Sequence, residues 1–83
     1  MPTVALVSGV KIQFFAAEHP PPHFHAELAE HRIAIEIATL RILKGELPRN
    51  KLQDVLSWAA TRKPQLLAAW EAVAAKRNPE KIG

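Results

Sequence analysis

Apolar and polar residues alternate with period two through the first half of this 83-residue chain and switch to helical spacing in the second half. Strict alternation marks a half-buried strand, and apolar positions at i, i+3, i+4 and i+7 mark an amphipathic helix. Thr3–Val7 is a short candidate strand, followed by the turn signal Ser8-Gly9. Val10–Ala16 comes next, with Val10, Ile12 and Phe14 on one face and Lys11 and Gln13 on the other, so the two segments predict a hairpin. Phe24–Leu28, His31–Ile37 and Leu40–Lys44 complete a set of about five short strands.

The pairing register of the middle strands follows from which side chains must be buried together. A two-residue turn at Ala29-Glu30 sets Leu28 opposite His31 and Ala26 opposite Ile33. Phe24, Ala26 and Leu28 then face the same core as Ile33, Ile35 and Ile37, and a slip of one residue would bury the polar set instead. Beyond Gly45 the spacing changes. Pro48 suits a first helical turn, and Leu52, Val55, Leu56 and Ala59 form an apolar stripe. Pro64 restarts the helix after Arg62-Lys63, and Leu66, Leu67, Trp70, Val73 and Ala74 form a second stripe that ends at the basic pair Lys76-Arg77. The expectation is an α+β fold: a small, mostly antiparallel sheet followed by two helices packed on one face. It forms a single domain over residues 1–83, strand-rich over 1–45 and helical over 47–77, with 78–83 a frayed tail. Trp58 and Trp70 read as core anchors between the helices.

Composition narrows the class. Hydrophobic residues make up 48% of the chain and charged residues 23%, a globular balance. The absence of cysteine excludes disulfides and thiolate metal sites. The apolar run near the start lacks a basic leader, and no segment approaches the ~18–20 apolar residues of a membrane span, so a soluble cytoplasmic protein is expected. The net charge of +3 is uneven: residues 1–31 hold Lys11 against Glu18, Glu27 and Glu30, whereas residues 32–83 hold ten basic and five acidic residues. That basic half admits contact with RNA or an acidic partner, and Arg49, Lys51, Arg62 and Lys63 read equally as a solvated helix surface.

Candidate chemistry is concentrated in one segment. All four histidines, His19, His23, His25 and His31, fall within thirteen residues, and three of them frame the run His19-Pro20-Pro21-Pro22-His23-Phe24-His25-Ala26-Glu27. Histidine titrates near neutrality and is the commonest metal ligand. Extended prolines hold His19 and His23 roughly 12 Å apart unless a cis bond folds the segment back. His23 and His25, two apart on a strand, point to the same side. Glu27 continues that face, and Arg32, Ala34 and Glu36 join it across the hairpin, with Ala34 leaving space beside His25. His31 falls on the core side.

Three readings follow. In the first, the histidines only order the loop, and a rigid Pro20–Pro22 segment with an outward Phe15 forms a partner surface. In the second, His23 and His25 with Glu27 or His19 bind a divalent metal such as zinc. In the third, no cofactor is needed: His23 or His25 moves a proton, Glu27 orients the imidazole, and Arg32 or Lys11 steadies phosphate in a metal-independent, ribonuclease-like reaction.

The opening Met-Pro-Thr-Val, the run Glu18–Glu27 and the stretch Leu47-Pro48…Val55-Leu56-Ser57-Trp58-Ala59 resemble a widespread bacterial domain-of-unknown-function family with a PPHFHA signature. The signature falls on Pro21, Pro22, His23, Phe24, His25 and Ala26, and His19 fits it. Two departures stand out: members of that family commonly carry glycines where this chain has Ala29-Glu30, and often an aromatic residue where it has His31. The resemblance implies the toxin-like member of a two-protein, type II toxin–antitoxin-like module that acts on RNA or translation. Its partner would be a small antitoxin-like protein, with Lys11, Phe15, His19, Pro21 and Pro22 as partner or phosphate contacts.

Overall fold

The computed structural model describes residues 3–83. Five strands come first: β1 (Thr3–Val7), β2 (Val10–Gln13), β3 (His23–Leu28), β4 (His31–Glu36) and β5 (Ile42–Gly45). Two helices follow, α1 (Arg49–Ala60) and α2 (Lys63–Ala74). The strands form one antiparallel sheet in chain order, as the alternation predicts. Ser8 and Gly9 both have positive φ, 53° and 82°, which matches the twist of a tight hairpin. The expected register holds between β3 and β4, where Leu28 faces His31 and Ala26 faces Ile33. Ala29 takes φ 53° in that turn, a conformation that favours glycine.

Both helices cover one face of the sheet. Val55 and Ala59 from α1, and Leu66 and Ala69 from α2, close over Val4, Val10, Ile12, Phe14, Phe24, Ile33, Ile35 and Ile37. Pro64 stands in the first turn of α2, where its missing N–H costs no bond. The helix ends with Lys76 in the left-handed region, while Arg77 N donates to Ala72 O at 2.7 Å and Lys76 N to Val73 O at 3.0 Å, which satisfies the last carbonyls. Gly45 ends β5 at φ 83°. A Cβ there would lie 2.1 Å from Arg32 O, so only glycine lets the chain leave the sheet at this point.

Four expectations change in detail. β2 stops at Gln13, and residues 14–22 form a connection with a turn at Ala16-Ala17. The last strand starts at Ile42 rather than Leu40, because Leu40 enters the left-handed region in the β4–β5 turn. The tail is not loose: Ile82 N donates to Val4 O at 2.8 Å and Lys81 Nζ to Thr3 O at 3.1 Å, which lays residues 81–82 beside the edge strand β1. The two tryptophans are half-buried rather than central. The Trp58 indole N–H donates to Gly83 O at 3.2 Å, and the Arg62 guanidinium stands 5.3 Å over the Trp58 ring. Among the described residues no helix is long and apolar enough to cross a membrane.

Candidate functional site

The helices pack on one face of the sheet and leave the other bare except near the start of β3, where Trp70 of α2 and Phe15 reach it. Its rungs follow from the register: Lys11, Glu27 and Arg32 stand side by side across β2, β3 and β4, and the next rung holds Gln13, His25, Ala34 and Lys44. His23 opposes Glu36 on the rung beyond. The two imidazoles thus share one face, and their rings meet edge to face at 5.1 Å. The methyl of Ala34, opposite His25, is too small to compete with the imidazole for that space.

The carboxylate that meets them is Glu18, not Glu27. Glu18 Oε1 accepts a hydrogen bond from His25 Nε2 and lies 3.3 Å from His23 Nε2. Glu27 is drawn the other way by its register partner: Arg32 Nε donates to its Oε2 at 3.0 Å. Glu36 serves the β4–β5 turn, where it accepts from Thr39 Oγ1 at 2.9 Å and pairs with Arg41. His19, next to Glu18, is exposed and outside the group; the bond between Pro20 and Pro21 is cis, yet the residue brought to the histidines is Glu18.

Each member of the cluster is held by its neighbours. His23 Nδ1 donates to Pro21 O at 2.8 Å, which orients the ring and fixes where its first proton resides. The Trp70 ring from α2 covers His23, with centroids 5.1 Å apart. Phe15 leaves the core side, as the alternation expects, and is half-buried where it stacks on His25 with centroids 4.1 Å apart. Side-chain exposure rises from 11% at His23 to 20% at His25 and 29% at Glu18, so the group is sheltered but reachable. Burial raises the Glu18 carboxyl, but the hydrogen bond from His25, the approach of His23 and the charge each ring carries when doubly protonated outweigh it, leaving Glu18 below its ordinary value of 4.5.

Two clefts flank the cluster. A cavity of about 240 Å³, lined mainly by Phe15, Glu18, Trp70, Val73 and Lys76, opens on the α2 side. A smaller one of about 100 Å³ runs along the bare sheet face between Gln13, His25, Glu27 and Arg32. Of the other expected contact residues, Lys11 and Pro21 are exposed and Pro22 is half-buried.

Sequence pattern missed Glu18 because it lies in an irregular connection with no periodicity. One signal was present. β2 and β3 are antiparallel neighbours, so residues 14–22 must double back toward the start of β3, and Glu18 is the only carboxylate in that stretch.

No curated protein and no solved structure matches the chain. A family model does match, over residues 9–71, and its span takes in the β2–β3 connection with Glu18, both histidines and most of α2. That match covers well over half of the sequence, and the chain belongs to DUF4160, a family defined as a domain of unknown function.

Proposed function

We propose that this chain is the toxin-like member of a two-protein module and cleaves RNA with His25 as its general base. The observation that carries the reading is the Glu18–His25 pair at the head of the cleft that His25 shares with Arg32. A carboxylate oxygen can only accept, so the bond puts the His25 proton on Nε2 and leaves Nδ1 with a lone pair. Nδ1 has no protein partner, and no buried side-chain nitrogen or oxygen among the described residues is without one, so Nδ1 meets solvent. A base held by a carboxylate, with a guanidinium along the same groove, suits the 2′-hydroxyl and phosphate of an RNA strand.

In the reaction, Nδ1 takes the 2′-hydroxyl proton, the 2′-oxygen bonds to phosphorus, and the bond from phosphorus to the 5′-oxygen breaks. The leaving oxygen takes a proton from water, and the product is a 2′,3′-cyclic phosphate. Arg32 meets the phosphate from its exposed position. The bare sheet face with Lys11 and Lys44 offers further positive charge, while the resemblance alone motivates the antitoxin-like partner.

The test is cleavage of a single-stranded RNA by the purified chain, with the matching DNA as control. Cleavage of RNA alone is expected, falling about 10²–10⁴-fold in His25→Ala. Equal cleavage by His25→Ala, or cleavage of the DNA, would remove this reading.

A further inference from the structure

The proton positions within the cluster conflict. A neutral imidazole carries one proton. In His23 that proton is on Nδ1, because Pro21 O accepts from it at 2.8 Å and a carbonyl oxygen has nothing to donate. Nε2 of a neutral His23 therefore presents a lone pair to Glu18 Oε1, 3.3 Å away, which is also an acceptor. Two acceptors at that distance need a positive centre between or beside them. A second proton on His23 is one solution. A metal ion is the other, and the remaining geometry favours it.

We propose that Glu18, His23 and His25 form a mononuclear site for a divalent transition-metal ion of the zinc class, bound through Nε2 of each imidazole and a carboxylate oxygen. The three ligand atoms lie within 4.8 Å of one another. Bonds of about 2.0–2.1 Å at tetrahedral angles place ligand atoms roughly 3.3–3.4 Å apart. The spacing between His23 Nε2 and Glu18 Oε1 already has that value. Binding asks for a withdrawal of Glu18 from His25 and for side-chain rotations that bring every pair, none now more than 4.8 Å apart, to that spacing.

The surroundings agree with a metal centre. Metal-bound histidines usually give their other N–H to a carbonyl or carboxylate, and Pro21 O receives it from His23. Phe15 and Trp70 wall the site on two sides and slow the exchange of ligands with water. Two nitrogens and one oxygen, in a chain without cysteine, suit Zn²⁺, Co²⁺ or Fe²⁺ better than Cu⁺, which prefers sulfur, or Ca²⁺, which takes six or more oxygens. Three protein ligands leave a coordination position for water, as at a reactive rather than a purely structural zinc. The apolar core is complete without the ion, so the metal-free chain stays folded.

The site goes beyond the RNA reading and stands without it. Where both hold, they exclude one another in time: an ion on Nε2 of His25 moves the ring proton to Nδ1 and withdraws the base. Metal then suppresses cleavage.

The experiment uses the full chain without an affinity tag, stripped with a chelator and titrated with Zn²⁺ or Co²⁺. One ion per chain is expected, with ligand-field bands for Co²⁺ and a raised melting temperature. Glu18→Ala, His23→Ala and His25→Ala each lose more affinity than the roughly 10–100-fold that removal of an outer partner costs. His19→Ala and His31→Ala bind as the wild type does. Should a ligand variant fail to fold, imidazole ¹⁵N spectra of the wild type decide: Zn²⁺ moves the Nε2 signals of His23 and His25 and leaves His19 and His31 in place. Binding below a few tenths of an equivalent, or spectra that respond at His19 or His31 instead, overturns the site. Cleavage stimulated by the ion supports the metal site and overturns the assignment of His25 as the base, so the two proposals fail separately.

Discussion

The two faces of β3 differ by one residue in sequence and by everything in chemistry. Phe24 and Ala26 are fully buried beneath the helices, whereas His23 and His25 project from the other side, into a partly open group with Glu18. The strand's alternation is thus used twice. One set of positions holds the fold together, and the other is freed from that duty because the core needs nothing from it. Stability effects are therefore expected on one face and functional ones on the other, and substitutions at neighbouring positions should separate the two.

The largest expected effect falls on the apolar face. Phe24→Ala removes a ring with no exposed surface from the middle of the core. Such truncations cost about 3–5 kcal/mol, against a total stability on the order of 5–10 kcal/mol for a domain of this size. Urea unfolding of the variant should show a midpoint reduced by roughly half with little change in slope. His25→Ala, one residue away, should cost less, about 1–2 kcal/mol in the same measurement, because its ring is partly open to solvent and loses the stack on Phe15 and the bond to Glu18 rather than a place in the core. Equal losses at the two positions would mean that the polar face is part of the core after all.

The contrast also accounts for what could be read in the residue pattern. The apolar face of β3 was legible because burial imposes a period: Phe24, Ala26 and Leu28 had to meet Ile33 and Ile35, and only one register does that. The same register brought His23 and His25 to one side. Legibility ended where periodicity ended. Glu18 meets the histidines from five and seven residues upstream, through a connection whose path depends on Ala17 at positive φ and on three prolines, and no local rule specifies that path. Glu27 was the natural candidate from strand spacing alone, but spacing says nothing of competition, and Arg32 opposite it takes the carboxylate. Phe15 keeps to the side opposite the buried Phe14, as the alternation requires, but nothing in the residue pattern says that the His25 ring would lie against it.

A smaller effect, confined to the polar face, depends on pH. The Glu18 carboxyl lies below its ordinary value of 4.5 in the folded chain. A depressed carboxyl adds stability that is fully present above the unfolded value and is lost as pH falls through the folded one. Glu18→Gln cannot titrate. In metal-free buffer the stability gap between wild type and Glu18→Gln should therefore hold at pH above 4.5 and shrink as the solution is made more acidic. Phe24→Ala should show no such narrowing against wild type over that window. A gap for Glu18→Gln that is constant down to low pH would mean that the bonds from His25 and His23 do not favour the ionised carboxylate.

The smallest stability effect is expected at Arg32, where nothing structural should accompany a functional change. Its side chain is 80% exposed, and its one ion pair, with Glu27, is open to water. Exposed pairs of this kind contribute about 0.2–1 kcal/mol and are screened by salt. Arg32→Ala should therefore unfold within about 0.5 kcal/mol of wild type. Under the proposed function the same change removes a phosphate contact beside His25, so RNA affinity should fall at low salt and the slope of log affinity against log salt should lessen by roughly 1. Arg32→Lys should restore much of the affinity, since a phosphate contact at an exposed site needs charge more than it needs a planar fork. A variant that binds RNA as wild type does, with an unchanged salt slope, would detach the groove between His25 and Arg32 from nucleic acid and leave the bare face of the sheet to the cluster alone.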